Sequence, residues 1–324
     1  GDLATGIAYR LYKCGFEIIM TETKVPLTVR RTIAFSRAVY EGNAEVEHVT
    51  AKLTDGPEQI DDRIKKGYIP LLVDPGLKYL KEYKADVVVD AILAKKNLGT
   101  TIDAAEFVIG VGPGFTAGKD CHVVVETMRG HNLGKVIHEG CAIPNTGIPA
   151  EIGGYSIERI IRASADGLYE PVVKIGDHVE KDQIVAYSGG KSVRALMSGI
   201  VRGMLQSNVN VTKGMKIGDV DPRMEPSLVH LISDKARKIG RGVAEAIRTI
   251  CYSRYGLVFL AAGKSSRYGE PQENKLLAEK NGKPMFRYLL DQMRIYPMCT
   301  RVAVSGHTEI LEYARQHGML TAEN

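Results

Sequence analysis

The sequence of 324 residues contains no tryptophan, and aromatic residues make up only 6% of it. Basic residues exceed acidic ones by five (43 against 38), but they are scattered along the chain rather than grouped. A surface that binds nucleic acid usually combines a basic stripe with aromatic side chains that stack on bases. We therefore expect no nucleic-acid partner.

Cysteines are few, odd in number and widely separated, and no two of them form a C-x-x-C pair. This pattern argues against a disulfide framework and against structural zinc, so we expect no metal held by cysteines and a reducing cytoplasmic location. Cys121, just after a glycine-rich loop, is either a reactive thiol or a small buried apolar residue. The cysteines are Cys14, Cys121, Cys141, Cys251 and Cys299.

Long apolar runs are also missing: no stretch of eighteen apolar residues occurs, and no charged-then-apolar leader opens the chain. Membrane insertion and secretion are therefore not expected. The apolar content of 44% and the charged content of 25% are those of an ordinary globular protein, and the length suffices for two or three domains.

Strand and helix patterns alternate from residue 1 to about residue 157, which predicts a Rossmann-like α/β domain with a parallel sheet. Residues 1–6 occupy the place of a phosphate-binding turn, although the fingerprint lacks its first glycine and strand. The individual predictions are helices at 5–14, 30–40 and 57–66, strands at 16–21 and 46–53, and short buried strands at 69–73, 87–89 and 107–111.

A dense glycine loop, residues 110–120, follows the last of these strands. Glycines at a strand end can bring backbone N–H groups close to an anion, whereas the same glycines also suit a wide turn that needs positive φ. Both interpretations stay open. The candidate ligand-binding residues of this loop are Gly112, Gly114, Thr116 and Gly118.

Residues 158–222 contain an internal repeat with an offset of 32 positions, in which Asp166-Gly167 corresponds to Ser198-Gly199 and Val179 to Val211. Two equivalent halves rich in short strands predict a small pseudo-twofold β sandwich. The pattern resembles the biotinyl/lipoyl barrel-sandwich family, whose carrier members hold a modified lysine at a hairpin tip. Because the flanks of Lys191 differ from that pattern, we expect a docking or structural module. A basic helical connector, residues 223–254, follows, and Gly240 and Gly242 are expected to interrupt its start.

The most informative stretch begins with an apolar run that ends in Leu260-Ala261-Ala262-Gly263-Lys264-Ser265-Ser266-Arg267-Tyr268-Gly269. Lys275-Leu276-Leu277 and Gly282-Lys283-Pro284 follow. A strand that feeds a glycine-serine loop, with Arg267 and Lys275 eight residues apart, is suited to a nucleoside triphosphate.

This pattern resembles the nucleotidyltransferases that attach CMP or GMP to molybdopterin. The resemblance implies CTP or GTP and Mg²⁺ as cofactors and molybdopterin as substrate, with Arg267 and Lys275 as the catalytic residues that neutralise developing charge. It implies a phosphate cradle formed by Ala261, Ala262, Gly263, Ser265, Ser266 and Gly269.

Residues 1–250 resemble the accessory (maturation) protein of the selenium-dependent molybdenum hydroxylase system. The resemblance rests on Gly1-Asp2-Leu3-Ala4-Thr5-Gly6, Val89-Asp90-Ala91-Ile92-Leu93-Ala94-Lys95-Lys96-Asn97, Gly112-Pro113-Gly114-Phe115, Arg129-Gly130-His131, Asn145-Thr146-Gly147 and Gly218-Asp219-Val220-Asp221-Pro222-Arg223. It implies a maturation factor whose partner is the apo-hydroxylase.

The overall expectation is a three-part α/β protein: a Rossmann-like domain (1–157), a barrel-sandwich module (158–222) with its helical connector (223–254), and a truncated nucleotidyltransferase-like segment (255–324). The last part spans only about 70 residues, where a domain usually needs about 100–200, so we expect a fragment without the full catalytic apparatus. Two alternatives remain: a non-catalytic carrier of labile selenium or cofactor, and a nicotinamide-dependent oxidoreductase supported by Glu22.

Overall fold

The protein is described from a computed structural model, which covers residues 1–147, 149, 151–254, 256–261, 276–293 and 300–323. The chain forms two compact units, residues 1–244 and residues 245–324. Across these described ranges, none of the helices has the length and apolar character that a membrane crossing requires.

The first 157 residues alternate short helices and strands. In chain order these elements are α1 (Asp2–Lys13), β1 (Met20–Glu22), α2 (Ala38–Glu41), β2 (Asn43–Val46), β3 (Val49–Thr54), α3 (Ile60–Lys65), β4 (Ile69–Val73), α4 (Leu80–Tyr83), β5 (Val87–Asp90), β6 (Phe107–Val111), β7 (Thr116–Ala117), β8 (Val123–Val125), β9 (Val136–Ile137) and β10 (Gly140–Cys141).

These strands form two mixed four-stranded sheets, and β7 pairs separately with β10. The order in the first sheet is β1-β4-β3-β2, with parallel pairs except for the antiparallel edge strand β2. The second has the order β5-β6-β8-β9, again parallel except for its edge strand β9. The architecture is therefore α/β with parallel-containing sheets, as expected, but the parallel strands belong to two sheets instead of one.

Apolar runs at the centres of these sheets explain why they fold. In the first core, Ile69 and Leu71 of β4 are buried against Ala8 of α1 and against Phe35 and Ala38. In the second core, Val108 of β6 and Val124 of β8 are buried. The structure confirms the predicted strand bounds 69–73 and 107–111. These bounds could be predicted because a strand that is covered on both faces has a continuous apolar sequence.

Several local predictions are wrong, and the strand predicted at 16–21 is present only as β1, Met20–Glu22. The predicted strand at 46–53 is a hairpin, because Glu47 and His48 adopt positive φ angles (46° and 65°) and turn the chain between β2 and β3. The predicted helix at 30–40 consists of two 3-10 turns and only one short helix, α2, which ends at Gly42 with φ of 78°.

Residues 1–6 also differ from the predicted phosphate turn. They open α1, and Gly6 lies inside this helix. A Cβ atom at Gly6 would lie 2.7 Å from the Cβ of Ala236, so this glycine serves a close helix–helix contact.

The following strands are β11 (Ile160–Arg162), β12 (Gly167–Pro171), β13 (His178–Val179), β14 (Ile184–Ser188), β15 (Lys191–Arg194), β16 (Gly199–Met204), β17 (Asn210–Val211) and β18 (Lys216–Asp221). They form two antiparallel sheets with the orders β11-β18-β16-β13 and β15-β14-β12-β17. We call these residues, 160–221, the two-sheet module. Its sheets share one core, in which Tyr169 and Leu205 are fully buried.

The internal repeat has a direct structural counterpart. Strands β11 to β14 recur 32 residues later as β15 to β18, and each strand takes the equivalent position in the other sheet. The two halves of the repeat are therefore related by a pseudo-twofold axis that exchanges the two sheets.

A long helix, α5 (Asp234–Arg254), follows the module. Gly240 and Gly242 do not interrupt it, which corrects the sequence expectation. A Cβ atom at Gly240 would lie 2.8 Å from the carbonyl oxygen of Gly6, and one at Gly242 would lie 2.0 Å from that of Gly134. These glycines are required because other backbone segments pass close to the helix.

The second unit contains β19 (Gly256–Leu260), β20 (Glu279–Lys280), β21 (Lys283–Pro284), α6 (Met285–Met293), β22 (Thr300–Val304), α7 (Thr308–Gln316) and β23 (Leu320–Ala322). Its main sheet has the order β19-β22-β23 with all pairs parallel. Phe286, Leu290 and Ile310 from the two helices are buried in its core.

Candidate functional sites

In the second unit, the chain enters the predicted phosphate loop from the carboxyl end of β19. Ala261 is buried, and its N–H donates to the carbonyl oxygen of Val304 at 2.8 Å. The first residue of the predicted cradle therefore lies at the carboxyl edge of a parallel sheet, where open α/β sheets bind their ligands. The other predicted residues of this site lie outside the described residues: Ala262, Gly263, Ser265, Ser266, Arg267, Gly269 and Lys275.

Ser305 ties the ends of the two neighbouring strands together at this edge. Its buried hydroxyl donates to the carbonyl oxygen of Ala261 (3.2 Å) and accepts from the N–H of His307 (3.0 Å). The sequence analysis missed this residue. The signal was present, since a serine and a glycine follow an apolar strand at Val304-Ser305-Gly306 just as they do after β19.

The lysine of the Gly282-Lys283-Pro284 motif forms an ion pair within its own unit. Lys283 is the first residue of β21 and follows a tight turn, in which Asn281 and Gly282 have φ angles of 54° and 71°. The Lys283 ammonium lies 2.5 Å from a carboxylate oxygen of Asp291, and this contact raises the pKa of Lys283. The hydroxyl of Tyr313 donates to the other oxygen of Asp291 at 2.8 Å. Lys283 therefore has a structural partner within its own unit.

In the first unit, the carboxyl ends of β5, β6 and β8 form a second cluster of polar loops. The carboxylate of Asp90 accepts from the N–H of Ile92 (3.0 Å) and from the hydroxyl of Thr100 (2.7 Å). In the amide orientation that satisfies both partners, Oδ1 of Asn145 accepts from Gly147 N–H and from Lys95 Nζ at 3.2 Å. Loops that are far apart in sequence therefore meet at one sheet edge.

The structure separates the four glycine-loop candidates into two pairs. Gly112 and Gly114 lie at the end of β6 with φ angles of 84° and 112°. A Cβ atom at Gly114 would lie 2.6 Å from Cα of Lys96, so this glycine permits close packing of two loops. Among the described residues, the N–H groups of Gly114 and Phe115 have no hydrogen-bond acceptor.

Thr116 lies in β7, which pairs with β10 in a small two-stranded sheet, and Gly118 follows β7 directly. The N–H of Thr116 donates to the carboxylate of Asp120 (2.8 Å), and the N–H of Gly118 donates to the carbonyl oxygen of Cys121 (2.8 Å). A carboxylate already occupies the place where an anion would sit, so the wide-turn interpretation fits this half of the loop better.

Cys121 is fully buried, and burial raises the pKa of its thiol. A thiol that is both inaccessible and harder to ionise is a poor nucleophile. Of the two alternatives in the sequence, the structure favours the small buried apolar residue. Within the part of the chain that the structure describes, no group of three His, Cys, Asp or Glu side chains is placed to hold a metal ion.

Glu126, which sequence analysis did not select, organises the loops after β8. This side chain is only 2% exposed, and its carboxylate accepts from the N–H groups of Thr127 and Met128 (both 2.6 Å) and of Ile143 (2.8 Å). Three charge-assisted hydrogen bonds hold the buried carboxylate and fix the loop that carries Arg129.

Arg129 forms a two-point ion pair with Asp234 at the start of α5, with N–O distances of 2.7 and 3.0 Å. The hydrogen bonds from Arg129 lower the pKa of Asp234 from 3.8 to about 2, against the opposing effect of burial. Because the folded-state pKa is the lower one, the pair stabilises the fold above about pH 4, and this stabilisation is lost as the pH falls toward 2.

We expect Asp234→Asn to lower the free energy of unfolding by about 0.5–1 kcal/mol at neutral pH, a small amount because Asp234 is more than half exposed. The loss should shrink as the pH approaches 2, where the wild-type carboxylate is protonated as well. Urea unfolding of both proteins at the two pH values checks this, and Arg129→Gln should show the same pH dependence. A loss that does not change with pH would contradict the assignment.

The comparisons with known proteins agree with the geometry of the second unit. Residues 257–324 match the family described as "MobA-like NTP transferase domain". This match supports nucleotidyl transfer with a nucleoside triphosphate as the activity class of that segment.

A wider similarity is to "Uncharacterized protein YqeB" of Escherichia coli (strain K12), with 48% identity over 252 residues. That alignment covers 78% of this chain, and the chain spans about half (47%) of the length of that relative. The name of the relative states no activity.

Among solved structures, an aspartoacylase family protein of Mesorhizobium loti is 18% identical with a TM-score of 0.18, over 19% of this chain and 22% of that one. The apo ectoine utilization protein EutE (DoeB) of Ruegeria pomeroyi is 18% identical with a TM-score of 0.19, over 26% and 28% of the two chains. Likeness of this extent carries no inference about fold or function.

Proposed function

We propose that the chain is a maturation factor for a molybdenum hydroxylase of the selenium-dependent type, and that its C-terminal segment contributes the nucleoside triphosphate site for nucleotidyl transfer to molybdopterin. The observation that carries the proposal is the family match at residues 257–324, in a segment with a parallel sheet whose first strand ends at Leu260, directly before Ala261. The resemblance of residues 1–250 to the accessory protein of that system supports a single task for both parts of the chain.

In the proposed reaction, an oxygen of the terminal phosphate of molybdopterin attacks the α-phosphorus of CTP or GTP. The new P–O bond forms as the bond to the β-phosphate breaks, and pyrophosphate leaves with the electron pair. The protein contributes position and charge rather than covalent chemistry. We assign Gly263, Ser265, Ser266 and Gly269 to the phosphate cradle, and Arg267 and Lys275 to the stabilisation of developing charge.

Nucleoside triphosphates are usually handled as their Mg²⁺ complexes, and the metal would supply positive charge that offsets the charge of the phosphates. Within the described residues no group of three or more His, Cys, Asp or Glu side chains is placed to hold a metal ion, and Asp291, which follows the loop, is already bound by Lys283 and Tyr313. No step of the proposal is therefore assigned to a metal bound by these side chains.

For residues 1–254 we propose the expected division into a domain of residues 1–157, a barrel-sandwich module of residues 158–222 and a connector of residues 223–254. The two-sheet module favours a docking role. Lys191 begins β15 directly after a Gly189-Gly190 turn and is exposed, but it pairs in the ladder with Ser188 as an ordinary strand residue. A carrier that delivers labile selenium or cofactor to the apo-hydroxylase is the second candidate, and this module is the feature that favours it.

Nucleotide binding tests the proposal directly. We expect CTP or GTP to bind the chain in calorimetric titrations with Mg²⁺, and we expect Arg267→Ala to weaken binding about 10- to 100-fold, because a charge-assisted contact to phosphate is lost. Arg315→Ala is the matched control: Arg315 lies on α7 in the same unit and donates to the hydroxyl of Thr321, so its loss should leave affinity unchanged.

The other outcomes separate the alternatives. Binding of NAD alone, unaffected by Arg267→Ala, would favour the nicotinamide-dependent oxidoreductase. If no nucleotide binds, the nucleotidyl-transfer proposal fails for this chain and the carrier function takes its place.

A further inference from the structure

A cluster of charged side chains lies where the two-sheet module meets the start of α1. Five cationic groups and three carboxylates belong to it, so positive charge exceeds negative charge by two. The members are Arg30, Arg159, Arg202, Lys216 and Arg223 on one side, and Asp2, Asp219 and Asp221 on the other. We call this set the arginine cluster. The next carboxylate, Asp234, is already paired with Arg129.

Arg30 is a deeply buried cation, and the carboxylate that pairs with it, Asp2, is not in close contact. It is 7% exposed, and Nη2 donates only to the carbonyl oxygens of Leu228 (3.3 Å) and Leu231 (3.2 Å). Asp2 is 3.7 Å from Nη1, beyond hydrogen-bond distance, and both Nη1 and Nε lack a hydrogen-bond partner. Burial and the charge of Arg202 lower the pKa of Arg30 to about 10.

Arg202 is in a similar position. It is 9% exposed, lies 3.5 Å from Asp219 and 3.7 Å from Asp221, and its Nε lacks a hydrogen-bond partner. Both carboxylates are held more closely by other arginines, with Arg159 3.1 Å from Asp219 and Arg223 2.6 Å from Asp221. Two guanidinium groups are therefore buried near each other with unused donors.

A buried cation without an anion or a full set of acceptors is costly, and a buried unpaired donor is costly as well. The same arrangement becomes favourable when an anion fills it, because guanidinium groups donate in a planar fork that matches phosphate oxygens. An excess of two positive charges corresponds to one dianionic phosphate group.

We propose that the arginine cluster binds a phosphate group, either as inorganic phosphate or as a phosphate ester, which accepts hydrogen bonds from Arg30 and Arg202. The ligand would enter over the exposed segment 223–228, beside Lys216 and Arg223, which are partly exposed at the rim of the cluster. To reach Arg30, it would replace the carbonyl contacts of Leu228 and Leu231. This site belongs to residues 1–244 and is independent of the nucleotidyl-transfer proposal.

The first test uses the wild-type full chain and needs no variant. At constant ionic strength, inorganic phosphate and a simple phosphate monoester should each raise the Tm in a saturable manner, whereas chloride and acetate should not, because binding to the native state stabilises it. Hydrogen exchange should slow in peptides that cover 28–32, 200–204 and 223–232. If only inorganic phosphate acts, the ester form of the proposal is wrong; if neither acts more strongly than chloride, the whole proposal is wrong.

Variants then assign the effect to the cluster. We expect Arg202→Gln to weaken phosphate binding at least about tenfold, and Arg202→Lys to retain part of it. The control is Arg194→Gln, because Arg194 lies in the same module but donates to the carbonyl oxygen of Asp182. Equal phosphate affinity in Arg202→Gln and wild type would overturn the assignment. If the Arg202 variants do not fold, the exchange pattern of the wild type decides.

Arg267→Ala separates this site from the proposed nucleotide site. It should leave the response to inorganic phosphate unchanged while it weakens binding of CTP or GTP. The failure of one proposal can therefore be recognised without reference to the other.

Discussion

Asp219→Asn should be among the most destabilising single changes in the first unit, with an expected loss of about 3–5 kcal/mol in the free energy of unfolding. The carboxylate is 3% exposed and lies within 3.1 Å of Arg159, 3.5 Å of Arg202 and 3.8 Å of Lys216. Asparagine has the same size but removes a negative charge that all three of these cations share, and its amide N–H₂ group would face guanidinium donors.

The measurement is urea unfolding followed by circular dichroism, combined with hydrogen exchange of peptides from 159–221 to locate the loss in the two-sheet module. Asp182→Asn is the matched control, because Asp182 is exposed and has a φ of 66°, a conformation that asparagine tolerates well. Its effect should stay within about 0.5 kcal/mol. A loss of similar size in both variants would show that Asp219 does not hold the cluster together.

The same variant bears on the phosphate proposal. Without the Asp219 charge, the cation excess rises, so added phosphate should restore a larger share of stability to Asp219→Asn than it adds to wild type. If phosphate at constant ionic strength has no effect on the variant, the cluster is structural and binds no anion.

The sequence predicted those elements whose signal is local. Continuous apolar runs gave the bounds of β4 and β6, and the 32-residue offset anticipated the equivalence of the two sheets in the module. The hairpin at 43–54 was missed because its turn consists of Glu47 and His48, which carry no glycine or asparagine signal for positive φ. Local patterns therefore predicted strands well but not every reversal between them.

The candidate sites also could be predicted only in part. The glycine loop after β6 was selected from its glycines, but the structure shows that Gly114 permits close loop packing and that the carboxylate of Asp120 binds the N–H of Thr116. The arginine cluster could not be found from the sequence, because its members come from segments that lie far apart in the chain, from Asp2 to Arg223. Asp2, Asp219, Asp221 and Arg223 lie in segments that carry the family resemblance, but no local pattern indicates that they meet Arg30 and Arg202.

Close contact between α1 and α5 leads to the second large prediction: Gly6→Ala should destabilise the first unit by about 1–3 kcal/mol. Alanine would normally stabilise a helix interior by about 1 kcal/mol relative to glycine. Here its Cβ would lie 2.7 Å from the Cβ of Ala236 and 3.0 Å from the carbonyl oxygen of the same residue. The steric term therefore exceeds the gain in helix propensity, and the sign of the usual effect is reversed.

A double-mutant cycle with Ala236→Gly tests this explanation, because it removes the nearest atom in the clash. Ala236→Gly alone should cost about 1 kcal/mol from helix propensity, yet Gly6→Ala combined with Ala236→Gly should be more stable than the sum of the two losses. Rescue will be partial, since the carbonyl oxygen of Ala236 stays in place. Strict additivity in urea unfolding would show that the two residues do not meet, and the close crossing of α1 and α5 would then have to be abandoned.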